Sequence, residues 1–344
     1  MAFFDIKNVR IAGIASCVPK QVYYTKDYLV NDKYNADEFI RSTGIVSRRL
    51  DENYTTSDLC LHAAEKLISD LRWDKSEINI LIFVTQGPDY LCPSTACILQ
   101  DRLKLSKECY ASEIPLGCSG WVYGLSYAAS LLSRGSVKKG LLLVGDAKLF
   151  QRTTDPLVGF AGTATALEYS DGDAGFQFHF GTDGSGYDAI IIPDGGSRNG
   201  ISPSSFEIED IDGKKMNRLE SRMNGLDVFS FAISTAPKSI KKAVEYFSRD
   251  LNDFDYCILH QANIQIDEII RKKLNLPEEK VPYSLREFGN TSSASIPITI
   301  STQLKGKVED RHAEFICCGF GIGLSWGTVM FSTDSLFISD LVEV

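Results

Sequence analysis

Short, β-rich apolar blocks at 78–85 (INILIFVT), 141–145 (LLLVG), 255–260 (DYCILH) and 314–319 (EFICCG) read as buried strands. Between them, apolar positions recur at helical spacing. In 57–71, Leu59, Ala63, Leu67 and Leu71 share one face behind Ser57, an N-cap candidate. Segment 264–274 (IQIDEIIRKKL) starts after Asn263, with Asp267 early and Arg271, Lys272 and Lys273 late, as a helix dipole favours. Segment 119–132 has Trp121, Leu125, Ala129 and Leu132 on one face and small Gly124 and Ala128 on another, and Arg134 and Gly135 end it. This alternation of strand and helix predicts the α/β class.

The two halves of the chain repeat the pattern. Strands ending at Gln86 and Gln261 are each followed by a loop and an amphipathic helix, 175 residues apart. Cys118 and Asn290, each between a strand and a helix of small residues, are 172 apart, and Gly145 and Gly319 are 174 apart. A duplicated α/β unit divided near the Gly/Asp-rich segment 169–175 accounts for all three spacings. Strand-loop-helix coincidences of any α/β chain are the alternative. Duplication would bring equivalent turns together about a pseudo-twofold axis, and strand ends are where open α/β sheets build their sites.

Composition narrows the setting. A chain of 344 residues with 44% hydrophobic content suits a substantial core. The net charge of -9 argues against a nucleic-acid surface or a basic membrane patch. Nine cysteines without a CxxC pair and four scattered histidines give neither a disulfide framework nor a metal-ligand cluster, so reduced thiols and no metal are expected. The N-terminal segment lacks the pattern of a secretion signal, and no run approaches the roughly 20 apolar residues of a membrane span. A cytoplasmic protein with no membrane span is the expectation.

Three residues carry candidate chemistry. Cys118, in PLGCSGW before a helix, is either a small buried hydrophobe or a nucleophile whose thiol is acidified by the helix N-terminus; flanking Gly117 and Gly120 would let a substrate approach. His260 ends a strand and is either a hydrogen-bonded core histidine or a polar donor. Asn290 is either a turn residue or the carboxamide partner of His260 in stabilising an oxyanion. The turn 318–326 (CGFGIGLSW) leads into a strand rather than a helix, which weakens it as a nucleotide loop and suits it to be a backbone wall beside a thiol.

Together LGCSGW, LHQAN, FGNTSSASIP and CGFGIGLSWG resemble the β-ketoacyl-acyl-carrier-protein synthase III family of thiolase-fold condensing enzymes, along nearly the whole chain. The resemblance implies a thiolase-like α/β fold with two pseudo-duplicated halves in five αβαβα layers: 1–172 carrying the cysteine, 173–344 carrying histidine and asparagine. It implies that Cys118 takes an acyl group from a thioester and that His260 and Asn290 hold the malonyl thioester carbonyl during decarboxylation. The N–H groups of Cys118 and Ile322 would form the oxyanion hole. Phe39, Cys92, Gly319, Gly321 and Leu324 would contact substrate. The resemblance further implies no bound cofactor, acyl-coenzyme A or acyl-carrier protein and malonyl-carrier protein as thioester substrates, and a homodimer with 92–96 (CPSTA) near the partner's pocket. Lys238, Lys241, Lys242, Arg271, Lys272 and Lys273 would dock the acidic carrier.

Some positions depart from the family pattern. Phe39 stands near the usual Trp, Ser42 where an Arg is common, Gly159 where a second Arg helps hold the coenzyme A adenine, and Gln265 where Arg is frequent. Residues 161–163 (AGT) replace the GDG turn, and Cys92 replaces a bulky pocket-end residue. The changes at Phe39, Ser42, Gly159 and 161–163 weaken a coenzyme A clamp, Gln265 shifts the carrier-docking surface, and Cys92 points to a longer or differently shaped acyl tunnel. The leading expectation is decarboxylative condensation giving a β-ketoacyl product, in fatty-acid initiation or a specialised pathway. Its alternative is acyl transfer to an alcohol or amine. A degradative thiolase is disfavoured because Gly319 holds the position of its second cysteine, and a scaffold with a dead site because all three reactive side chains are present.

Overall fold

The structure, a computed structural model, describes residues 2–28, 35–147, 155–211 and 213–344. Two sheets organise it. From edge to edge, the first runs Phe337–Ile338, Val9–Val18, Ala161–Tyr169, Lys139–Asp146, Ile78–Val84 and Tyr110–Ile114, with Val342–Glu343 also on Val9–Val18. The second runs Ala2–Ile6, Phe176–Thr182, Ser325–Thr333, Ala313–Gly321 and Tyr256–Leu259. The unbroken apolar blocks are strands covered on both faces, three of them inside their sheets and Tyr256–Leu259 at the edge of the second, which is why they lack alternation.

The sheets share one plan. Val9–Val18, Ala161–Tyr169, Lys139–Asp146 and Ile78–Val84 pair antiparallel, antiparallel and parallel. Phe176–Thr182, Ser325–Thr333, Ala313–Gly321 and Tyr256–Leu259 do the same. Val84 lies opposite Val144 and Leu259 opposite Cys318, so equivalent partners recur at the spacing found in the sequence. Each end of the chain crosses over: Ala2–Ile6 pairs in the second sheet, and the C-terminal strands pair in the first.

Helices Gly120–Leu132 and Ser295–Gln303 lie between the sheets, where Trp121, Leu125, Ile296 and Ile300 share one core with Val144, Ile258 and Val329. Helix Thr56–Asp70 covers the outer face of the first sheet, and helices Gly225–Tyr246 and Ile264–Lys273 cover that of the second. This is the five-layered αβαβα arrangement. One local expectation is corrected. Thr55, not Ser57, caps helix Thr56–Asp70, because Thr55 and Asp58 exchange side chain-to-backbone bonds in a capping box; the Ser57 hydroxyl instead donates to Asp89. Pro297 sits in the first turn of helix Ser295–Gln303, where its missing N–H has no helical acceptor to lose.

Trp121 is the largest fully buried side chain of the central layer, and its indole N–H donates to Thr165 Oγ1 at 3.0 Å. Trp121→Ala leaves both a cavity and an unpaired buried hydroxyl. Urea unfolding should show a loss of about 3–5 kcal/mol.

Candidate active site

The chain leaves strand Tyr110–Ile114 and enters helix Gly120–Leu132 through Cys118 and the N-cap Ser119. The half-buried Cys118 lines a cavity of about 100 Å³ whose wall also holds Asp146, Asp155, Asn290, Ser292 and Ile322. Ile322 comes from the turn between strands Ala313–Gly321 and Ser325–Thr333. The Ser325 hydroxyl donates to the Ile322 carbonyl at 2.8 Å and lies 2.8 Å from the Ser119 hydroxyl, clamping this turn against the nucleophile's own loop. A Cβ at Gly321 would stand 2.8 Å from Cys118 Sγ, so only glycine lets the backbone approach this closely. Gly319 packs on the Cys118 carbonyl in the same way. Gly117 and Gly120 do not face substrate: a Cβ on either would strike Gln86 or Val84.

The Ile322 N–H, the Ser292 hydroxyl and the Cys118 N–H lie near enough to the sulfur to favour its thiolate. The expected acidification is nonetheless overturned. Burial, followed by the nearby Asp146 carboxylate, pushes the thiol up to about 11, outweighing these donors. The helix begins only at Gly120, and Ser119 makes no side-chain cap.

Asn290 is fixed on three sides. Its N–H donates to Leu157 O at 2.8 Å, its carbonyl accepts from Gly159 N–H at 3.1 Å, and its Oδ1 accepts from Ser292 N–H at 2.9 Å. With Oδ1 occupied, the carboxamide N–H₂ is the group left to donate. Gly159 explains one departure in the sequence: a Cβ there would lie 1.9 Å from the Phe288 carbonyl, so no arginine fits this backbone. Residues 152–154 of the adjoining RTTDP segment lie outside the described residues.

His260 follows strand Tyr256–Leu259 and is 2% exposed. Its Nδ1 is 2.8 Å from Ser295 Oγ, its ring meets Phe320 edge-on, and the Ser292 carbonyl is near enough to favour the charged ring. Burial lowers the imidazole to about 4, only partly offset by that carbonyl. The ring is therefore neutral at neutral pH. Cys118, Asn290 and Ile322 share the cavity wall, and His260 reaches it through Ser292.

Two residues of this site were missed in the sequence. Asp146, 4% exposed, accepts from Thr85 Oγ1 and Gln86 N–H on one oxygen and from the Ser293 hydroxyl and N–H on the other. Ser292 has φ +52°, a left-handed conformation unfavourable for a residue with a Cβ, and it shares the cavity wall with Cys118 and Asp146, its hydroxyl near enough to favour the charged form of both. The repeat offered a signal for Asp146, next to Gly145 at a strand end. Nothing local marks Ser292.

Family models for 3-oxoacyl-[acyl-carrier-protein (ACP)] synthase III and for its C-terminal region match residues 113–184 and 248–333. The beta-ketoacyl-[acyl-carrier-protein] synthase III of Clostridium acetobutylicum is 33% identical over 94% of this chain and 98% of its own length. The chain belongs to the β-ketoacyl-acyl-carrier-protein synthase III family. A solved 3-oxoacyl-(acyl-carrier protein) synthase from Burkholderia xenovorans LB400 superposes with a TM-score of 0.92 at 36% identity, covering 100% of this chain and 99% of that one. The beta-ketoacyl-[acyl-carrier-protein] synthase III of Streptococcus agalactiae is 32% identical over 93% of this chain and 98% of its own. The fold is the thiolase-like one, and the protein is an acyltransferase of the condensing type.

As a synthase III, the chain places its remaining candidate residues unevenly. Phe39, on helix Ala36–Thr43, is half-buried and lies off the cavity wall. Cys92 is exposed and Leu324 is packed near Gly186, and neither lines this cavity. Lys238, Lys241 and Lys242 are exposed on one face of helix Gly225–Tyr246. Lys272 and Lys273 are exposed on the adjacent helix, where Lys272 pairs with Glu268 and Lys273 reaches Ile233 O. Arg271 is withdrawn from this docking face: its guanidinium grips Glu268 and the Leu276 carbonyl and is nearly buried. Among the described residues, no cluster of three or more His, Cys, Asp or Glu suits a metal ion, and no helix is long and apolar enough to cross a membrane.

The depressed imidazole predicts a pH signature. In the unfolded chain a histidine titrates near 6.5, so the unfolded state binds the extra proton first as pH falls. The contribution of His260 is complete above about 6.5 and is lost as pH falls toward about 4. In His260→Gln, urea-derived stability should fall less across that window, by up to about 3 kcal/mol. An unchanged slope would contradict a buried neutral His260.

Proposed function

We propose that this synthase III catalyses decarboxylative Claisen condensation through an acyl-Cys118 intermediate. The observation that carries the reading is the convergence of a thiol, two backbone N–H donors and the Asn290 carboxamide on one cavity, with neutral His260 tied to it by Ser292. Cys118 sulfur attacks the carbonyl of an acyl thioester, and the N–H groups of Cys118 and Ile322 stabilise the oxyanion until the donor thiol leaves. A malonyl thioester then places its carbonyl against Asn290 and His260. His260 Nδ1 lies 2.8 Å from the Ser295 hydroxyl; in the tautomer in which that hydroxyl donates, the ring proton sits on Nε2 and a neutral N–H meets the developing enolate. Loss of carbon dioxide yields the enolate, which attacks the acyl carbon and expels the Cys118 thiolate. A proton from solvent restores the thiol.

The malonyl unit is proposed to arrive on acyl-carrier protein, docked on the face of Lys238, Lys241, Lys242, Lys272 and Lys273. A homodimer is supported by the exposed run of Tyr90, Leu91 (97% exposed) and Cys92, which a second copy would cover.

Intact-protein mass after mixing with acyl-coenzyme A or acyl-carrier donors should show an acyl increment in wild type and none in Cys118→Ala. Asn290→Ala should keep the increment but lose about 10²–10³-fold in malonyl decarboxylation. Acyl transfer to an alcohol or amine without carbon dioxide release would instead support the non-condensing alternative. No increment from any donor would sink the acyl-enzyme.

Charge reversal of Lys238, Lys241 and Lys242 together should raise KM for carrier-borne malonyl at least several-fold, with kcat for small thioester donors unchanged. Added salt should weaken the wild type toward the variant. Equal KM values would place the carrier elsewhere.

A further inference from the structure

Cys118 must lose a proton to attack, yet burial and a neighbouring carboxylate oppose its thiolate. His260 is no obvious acceptor: its Nδ1 is engaged with the Ser295 hydroxyl and its ring packs edge-on against Phe320. Ser292, by contrast, lines the same cavity wall as Cys118 and Asp146, and its hydroxyl is near enough to favour the charged form of both. Asp146 lines the same cavity. Two backbone N–H groups and two further hydroxyls already donate to its oxygens, the environment of a carboxylate rather than of an acid in need of an acceptor.

We propose that Asp146 takes the Cys118 thiol proton through the Ser292 hydroxyl, so that the nucleophile forms without a second negative charge entering the cavity. The inference rests on the acyl-cysteine reading above. In the resting pair the charge is on Asp146 and the proton on sulfur. Ser292 passes its own proton to Asp146 and accepts that of the thiol; the charge moves to sulfur and the total stays at one. The thiolate attacks, the new carbon–sulfur bond forms, and the old one breaks. The departing thiolate takes the proton held on Asp146, which returns to carboxylate. A buried pair that shares one charge titrates as a unit. Burial raises the Asp146 carboxyl, which makes it the stronger base for this exchange. The other titratable groups around Asp146 are Cys60 on helix Thr56–Asp70, itself pushed up by burial, Asp155 across the cavity, and neutral His260 behind Ser292. Asp146 does not touch substrate and acts as a positioning residue for the proton.

The test separates this role from simple electrostatics by sign. If Asp146 is only a negative neighbour, Asp146→Asn makes the thiol more acidic and speeds acylation near pH 7. If it holds the proton, the same variant slows acylation by about 10² or more, within the span of general-base effects. Its rate should then climb tenfold per pH unit where wild type is flat. Acylation and iodoacetamide alkylation of Cys118 are both followed from pH 6 to 10. Ser292→Ala, which keeps the contacts of Asp146 to Thr85, Gln86 and Ser293, should show the same slowing and the same slope, and it carries the test if Asp146→Asn does not fold. Wild-type or faster rates in a folded variant, or slowing with an unchanged pH profile, overturn the relay. Alkylation needs no acyl donor. A wild type that alkylates but accepts no thioester therefore counts against the proposed function, while the alkylation profiles still decide the relay.

Discussion

The Asp146 carboxylate is the contact on which the site depends. Burying a charge costs several kcal/mol unless hydrogen bonds replace water. Here the replacements come from both halves: Thr85 and Gln86 from the end of strand Ile78–Val84, and Ser293 from the turn that carries Asn290. One side chain thus fastens the strand ends of the first half to the oxyanion loop of the second. Loss of the Ser293 bonds would free the turn whose Ser292 touches the nucleophile and whose Asn290 faces the cavity.

Around this contact the backbone is held tightly. Asn290 is locked to 157–159 by two backbone bonds, and Gly159 is closed to any side chain by the Phe288 carbonyl. Ser119, Ser325 and Ile322 form a second clamp on the opposite wall. Ser292 adopts its left-handed conformation between these restraints, with Asn290 Oδ1 accepting its N–H. Strain persists where neighbours over-determine it, and here it falls on a residue of the cavity wall that holds both sulfur and carboxylate.

The same burial that orders the site sets its protonation states. It raises the thiol and the Asp146 carboxyl and lowers the imidazole. Each shift disfavours the charged form, so the cavity tolerates little net charge. Neutral His260 and Asn290 suit such a place: they stabilise a transient oxyanion with dipoles rather than with a permanent cation.

By itself the sequence determined the strands, the helices and the duplication, because each rests on local periodicity or on spacing along the chain. INILIFVT and EFICCG became covered strands, and the offset near 175 reappeared as equivalent pairing partners in two sheets. It also singled out Cys118, His260 and Asn290 through their motifs. Only the tertiary structure decided what surrounds them. The thiol is raised because a carboxylate from residue 146 and a wall of buried neighbours close on it, contacts that no spacing encodes. Arg271 turned inward because Glu268 and the Leu276 carbonyl are one helical turn and one loop away. Ser292 gained its place from a backbone conformation fixed by neighbours on both sides. Periodicity records which face of an element is buried; charge and proton position depend on what the other half of the chain brings to that face.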